Sequence, residues 1–477
     1  MLSQGTSSTS PSVGTRRGAG FGWLDILRIG LVQAALGAIV VLTTSTMNRI
    51  MVVELAIPAA VPGALVALHY VIQTLRPRLG HGSDVSGRRT PWIIGGMIVL
   101  ALGAVLASIG IAVAAASMAG AMIISVLGFV LIGLGVGASG TALLTLLAKG
   151  TVETRRAPAA TIVWVMMIVG FILTTAVVGQ LLDPWSPGRL IELTAAVGAS
   201  SVVVTLLATW GLERRAGLPS VRRVAPAGES AGSGFRTALR EVWAEPLARR
   251  FGFFVFVSML AYSAQDLILE PFAGSVFGMT PGQSTALSSV QHGGVLVGMV
   301  LVAVLGARGA TRRFGSLWAW AWFGCIASAI ALLGLMVGAL VGQSWPLQAN
   351  VFALGLANGA YAVAAIGSMM NLVDKGNKAR EGLRMGMWGA AQALAFGLGG
   401  FLGAFASDIA RWWFDSPALG YGLVFVTEAV LFIVASVMAR RLAGQFASEA
   451  QRLGERPHAA PQSVPIRPAL SLQSEGV

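Results

Sequence analysis

Charge is scarce in this sequence. Only 11% of its 477 residues are Asp, Glu, Lys or Arg, against roughly a quarter in soluble domains. Hydrophobic residues make up 55%. This balance excludes a water-soluble chain of this length, and it excludes disorder, which goes with low hydrophobicity and high net charge. Cysteine occurs once, as Cys325, so there is no intrachain disulfide and no cysteine-based metal site. Histidine is limited to four residues, which disfavours zinc hydrolysis. Acidic residues are the minority, 20 against 33 basic, leaving a formal charge of +13. Such an excess suits nucleic acid or a membrane surface, and its distribution decides between them.

Long apolar runs are abundant. Twelve have about the 20 residues needed to cross hydrocarbon, near 29–50, 56–76, 91–114, 119–148, 159–182, 190–212, 251–275, 284–306, 316–340, 347–372, 387–410 and 418–439. The fold expected is an all-α integral membrane protein with twelve transmembrane helices in two six-helix repeats. The chain then divides into an N-terminal tail (1–20), a first bundle (21–212), a polar central loop (213–250), a second bundle (251–440) and a tail (441–477). Both tails are Ser-rich and are expected to be largely disordered. Residues 1–20 have no apolar core, so no cleavable signal peptide is expected. Phe21 to Arg28 is expected to lie at the membrane interface ahead of the first span.

The basic residues settle the charge question. Thirty of the 33 lie in the tails, the central loop and the loops after spans 2, 4, 8 and 10, all on one side of the membrane. By the positive-inside rule that side is cytoplasmic, together with both termini. Only Arg49, Arg189 and Arg411 fall elsewhere. Dispersed in this way, the arginines orient the chain and meet anionic lipid, and no nucleic acid is expected as a partner.

The loop after span 2 reads Gly80-His-Gly-Ser-Asp84-Val-Ser-Gly87-Arg88-Arg89. With twelve spans and a central loop, it resembles the major facilitator superfamily pattern. Its glycines permit a tight turn, and Asp84 can bridge the arginines or cap a helix, latching one bundle against the other. After span 8 the chain keeps Arg308, Arg312 and Arg313 but has no matching aspartate. This is what a degenerate second repeat leaves. Gly133/Gly137, Gly355/Gly359 and Gly399/Gly403 are small residues four apart, suited to close helix contact. Gly135-x-Gly137-x-x-Gly140 matches a dinucleotide fingerprint formally, but it lies inside an apolar helix and not at a strand-to-helix turn.

Ionisable groups inside spans cost about 2.5–3.5 kcal/mol each at a helix centre, so each raises a functional question. Span 7 carries Gln265, Asp266 and Glu270, the two acids four apart on one face. Counting ~1.5 Å per residue, Glu270 stands ~30 Å above Arg250, at the height of Arg49 and Glu54 in span 1. Arg49 is therefore expected to pair with Glu270 or Asp266, forming either a structural gate or a substrate site. Glu428 in span 12 has no evident partner. His69 in span 2 and His292 in span 8 lie 11 and 14 residues before Gly80 and Gly306, an offset close to one helical turn that puts them on neighbouring faces of corresponding helices. On the residues alone, each can be a plain hydrogen-bonding group.

The stretches 42–55, 261–274 and 280–285, which hold Arg49, Glu54, Gln265, Asp266 and Glu270, resemble the PucC/LhaA light-harvesting complex assembly proteins. These form the bacteriochlorophyll-delivery branch of the same superfamily. The resemblance runs from about Trp23 to Arg440. It implies a multi-pass protein of a bacterial photosynthetic inner membrane. Its expected cargo is bacteriochlorophyll a or a precursor, handed to light-harvesting α/β polypeptides beside pigment-synthesis enzymes and the membrane insertion machinery. Length and long tails are closer to LhaA, partner of the core antenna, than to PucC, partner of the peripheral one. In that setting His69 and His292 become candidate axial ligands for the pigment magnesium, with no metal held by the protein directly. No paired aspartate cluster for a prenyl diphosphate is present, so the label bacteriochlorophyll synthase, which some members carry, is not expected to describe an activity. The alternative is a secondary active transporter of a small solute, proton-coupled through Asp266 or Glu270.

Overall fold

In the computed structural model, the described residues are 20–76, 78–79, 83, 86, 88–152, 155–215, 244, 246–307, 317–375 and 381–454. All regular structure among them is helical. The first helix, α1, runs Trp23–Glu54 and takes in most of the segment expected to precede the span. Then follow α2 (Ala60–Ile72), α3 (Thr90–Val113), α4 (Met118–Gly150), α5 (Arg156–Leu181) and α6 (Pro187–Thr209). A second series comprises α7 (Pro246–Phe277), α8 (Pro281–Ala307), α9 (Leu317–Val341), α10 (Leu347–Lys375), α11 (Glu381–Phe414) and α12 (Pro417–Gly454). Among the described residues, ten helices are long and apolar enough to cross a membrane, and Ala60–Leu75 is a shorter apolar one. The last helix continues well beyond the expected limit at 439.

Helix starts follow local chemistry. Ser117 accepts from Gly120 N at the start of α4, and Ser186 accepts from Arg189 N ahead of Pro187 in α6. A proline in the first helical turn has no N–H to leave unsatisfied. The outer faces of the helices are apolar, and large side chains such as Leu127, Leu207, Ile330 and Leu340 point outward. In lipid this exposure carries no penalty, and the intrahelical ladder satisfies the backbone.

The contacts of the first series recur in the second. α1 packs on α5 and α6, α3 on α4 and α6, and α2 on α4. Six helices later, α7 packs on α11 and α12, α9 on α10 and α12, and α8 on α10. One buried core gathers side chains from Phe21 to Leu212 with Leu267, and the other runs from Phe251 to Leu442. Small residues set the helix spacing. A Cβ at Gly355 or Gly359 of α10 would overlap the Gln291 or Val295 carbonyl of α8, so only glycine permits that approach. The series meet where α5 crosses α8, where α2 crosses α11, and where the last part of α1 lies against α7 and α8.

Candidate functional site

The seam of α1, α7 and α8 is built from polar residues. Along Leu42–Thr46 and again along Ile50–Glu54, α1 loosens from the α-helical ladder to π-type bonding, in which a residue bonds five positions back. Such widenings are rare and turn successive side chains out of the usual register. Here they bring Ser45, Thr46, Asn48 and Arg49, all buried, against the second series.

Glu270 of α7 is the centre. Ser45 Oγ–H donates to its Oε1 at 2.6 Å, and Ser288 of α8 donates to the same oxygen at 2.5 Å. Thr285 lies 3.4 Å from Oε2 and bonds Thr46 of α1 at 3.2 Å. The carboxylate is thus fixed by hydroxyls from both sides of the seam.

The next residue explains a second contact. Pro271 lies within α7 and has no N–H, so the Leu267 carbonyl four residues back loses its helical donor. Asn48 Nδ2 of α1 donates to that oxygen at 2.5 Å. A break in one helix is repaired by a side chain of another.

Arg49 differs from expectation. It forms its ion pair with Glu54 of its own helix, and its Nη2 donates to the Met279 carbonyl at 2.6 Å. It does not pair with Glu270 or Asp266. Two features direct it away. The short hydroxyls already occupy Glu270, and Gly274 leaves room beside the guanidinium, where an added Cβ would stand 2.9 Å from Nη2.

The other expected members of this cluster are not bonded to Glu270 or Arg49. Asp266 is half-buried one turn below Glu270, next to the Gln291 side chain of α8. Gln265 is fully buried, and neither of its amide atoms has a hydrogen-bond partner among the described residues. Both carboxylate oxygens of Glu428 are likewise buried and unpaired.

The two histidines have different surroundings. His69 is buried, and its Nε2 is 2.8 Å from Gln73 Nε2, so this ring nitrogen accepts. Gln73 in turn accepts from Arg76. His292 is half-buried where α5 meets α8, with its ring edge-on to Phe171 at 4.9 Å. Its Nδ1–H donates to the Ser288 carbonyl at 2.7 Å, which fixes the tautomer and leaves the lone pair on Nε2.

Of the expected latch loop, Gly80, Asp84 and Gly87 lie outside the described residues, as do Arg308, Arg312 and Arg313. Arg88 is exposed. Arg89 N and Thr90 N both donate to Glu213 Oε1, so a residue just past α6 caps α3.

The sequence model of the PUCC protein family matches residues 46–446, which hold every hydrogen-bonded residue named in this seam except Ser45. The chain belongs to the PUCC protein family. It is 52% identical over 419 residues to the "Bacteriochlorophyll synthase 44.5 kDa chain" of Rhodobacter capsulatus, covering 88% of this chain and 95% of that protein. With "Protein PucC" of the same organism it shares 29% identity over 434 residues, 87% of this chain and 91% of the other. Among solved structures, a bacterial homolog of the human lysosomal transporter Spinster, in an inward-facing and occupied conformation, superposes with a TM-score of 0.65. That match has 15% sequence identity and covers 89% of this chain and 97% of the other. The fold is therefore of the major facilitator type, in a multi-pass bacterial membrane protein with a role related to photosynthetic complexes.

Sequence reasoning missed Ser45, Thr285 and Ser288 as holders of Glu270. A signal was available: Thr43-Thr-Ser-Thr46 is a hydroxyl run inside a span, and Thr285 and Ser288 are three apart on α8.

Proposed function

We propose that this PUCC-family protein delivers bacteriochlorophyll, or a precursor, to light-harvesting α/β polypeptides and supports their assembly, with the core antenna favoured. It does so as a binding protein and not as an enzyme. The observation that carries this reading is His292. Its Nδ1–H is held by a backbone carbonyl, the arrangement that presents the opposite nitrogen of an imidazole to a metal. It stands at a seam between the two helix series, half-buried beside Phe171. His69 fits less well, because its Nε2 already accepts from Gln73.

In this reading both tails and the central loop are cytoplasmic and all twelve helices, the shorter α2 included, span the membrane. Residues 21–212 and 251–440 act as two half-bundles, and the basic loops meet anionic lipid. Pigment-synthesis enzymes and the insertion machinery dock on the same cytoplasmic face. The test is the absorption spectrum of the protein purified from its native photosynthetic membrane. A near-infrared band co-eluting at a fixed ratio to protein is expected, and deleting the gene should lower antenna while pigment synthesis continues. Colourless protein with unchanged antenna would contradict it.

A second reading, a proton-coupled transporter of a small solute, is favoured by half-buried Asp266 at the same seam. It predicts solute uptake into proteoliposomes that Asp266→Asn abolishes.

A further inference from the structure

Two aspartates outside the seam do the same thing at two related places. At the end of α11, Asp408 accepts from Ala59 N at 3.0 Å through Oδ1 and from Ala60 N at 2.7 Å through Oδ2. These amides open α2, whose own N-cap, Ala59, has no side chain able to cap it. Just after α5, Asp183 accepts from Gly282 N at 3.1 Å and from the Thr280 hydroxyl at 2.5 Å. These groups open α8. Counting six helices on, α2 corresponds to α8 and α11 to α5, so each aspartate belongs to one series and caps a helix of the other.

The physical chemistry favours both contacts. The first amides of a helix have no intrahelical acceptor and carry the positive end of its dipole, so a carboxylate there is doubly favoured. Asp408 is further held by Arg411. Beside each contact the helices touch through small residues. An added Cβ at Gly63 of α2 would lie 2.9 Å from Ala404 Cβ of α11, and one at Gly179 of α5 would lie 2.8 Å from Ala286 N of α8. Neither contact can survive separation of these helix pairs, since each carboxylate and its donors sit on opposite elements.

We propose that Asp183 and Asp408 are a matched pair of clasps that hold the non-cytoplasmic ends of the two helix series together. Opening of that face requires release of both, and re-capping of α2 and α8 closes it. The pair acts above the Glu270 seam, so the clasps control whether that seam is reached from outside. The side of the membrane rests on the topology proposed above; the clasps themselves rest on the four contacts just described.

The test uses the full chain in right-side-out membrane vesicles, with Thr46→Cys as reporter. Thr46 is fully buried in the seam, and the native Cys325 is fully buried in the second core. The rate of labelling by a membrane-impermeant maleimide then tracks the open population. Asp183→Ala and Asp408→Ala are each expected to raise the Thr46→Cys rate about tenfold, and the double variant about a hundredfold, because the sites are distant and charge-assisted bonds are lost at each. Thr280→Val, which removes one donor and keeps the carboxylate, is expected to fall between parent and Asp183→Ala. Cys325 should stay unlabelled throughout. Unchanged rates in the double variant, or rates that rise only in step with labelling of Cys325, would overturn the clasps. Acceleration seen only with reagent on the cytoplasmic side would overturn the proposed topology and leave the clasps standing.

Discussion

Asn48 and Pro271 state a residue-scale dependence that neither has alone. The proline removes a donor from the Leu267 carbonyl, and the asparagine supplies one from another helix. Asn48→Ala should therefore destabilise the protein by about 1–3 kcal/mol, the cost of leaving a buried acceptor unmade. Pro271→Ala restores the N–H within α7, so Asn48→Ala should cost much less in that background. Thermal unfolding of the four proteins of this cycle in detergent measures the coupling, and equal costs in both backgrounds would contradict the assignment. Gly274 offers a second test. Gly274→Val places a branched side chain on the Arg49 guanidinium, and should lower the melting temperature more than Gly188→Val, where an added Cβ meets open space.

At the element scale, the apolar runs made the helices legible because hydrocarbon demands a long uninterrupted segment and charges end it. Boundaries were less legible. The last helix extends to Gly454 because a helix can continue into polar solvent once the apolar part is complete. The concentration of polar groups in α1 and α7 was visible, but their partners were not. Counting residues gives height along a helix. The π-type stretches of α1 alter the azimuth, and Arg49 consequently meets Glu54 and Met279 while Ser45 meets Glu270. Asp183 and Asp408 escaped notice because an acid at a span end is ordinary in sequence, and only the fold brings each to the start of a distant helix. Close packing yields its own prediction. Gly359→Leu in α10 would force α8 and α10 apart at Val295, and should lower folded yield strongly. Leucine at lipid-facing Phe352 of the same helix should leave the yield unchanged, as measured by monodisperse protein recovered from membranes.

For the whole molecule, the recurrence of the same helix contacts six helices apart gives a bundle whose halves meet along a polar seam with His292 on one flank. The +13 charge, so prominent in composition, is spent on orientation in this account. The few ionisable groups within the helices are where the account places the chemistry. The central claim is that His292, and not His69, presents a nitrogen to the pigment magnesium. The direct measurement is the bound magnesium-tetrapyrrole content of protein purified from native membranes, compared among the parent, His292→Ala and His69→Ala. The account predicts pigment retained in the parent and in His69→Ala, and lost or shifted in its near-infrared band in His292→Ala. Full, spectrally unchanged pigment in His292→Ala, or its loss in His69→Ala alone, would contradict it.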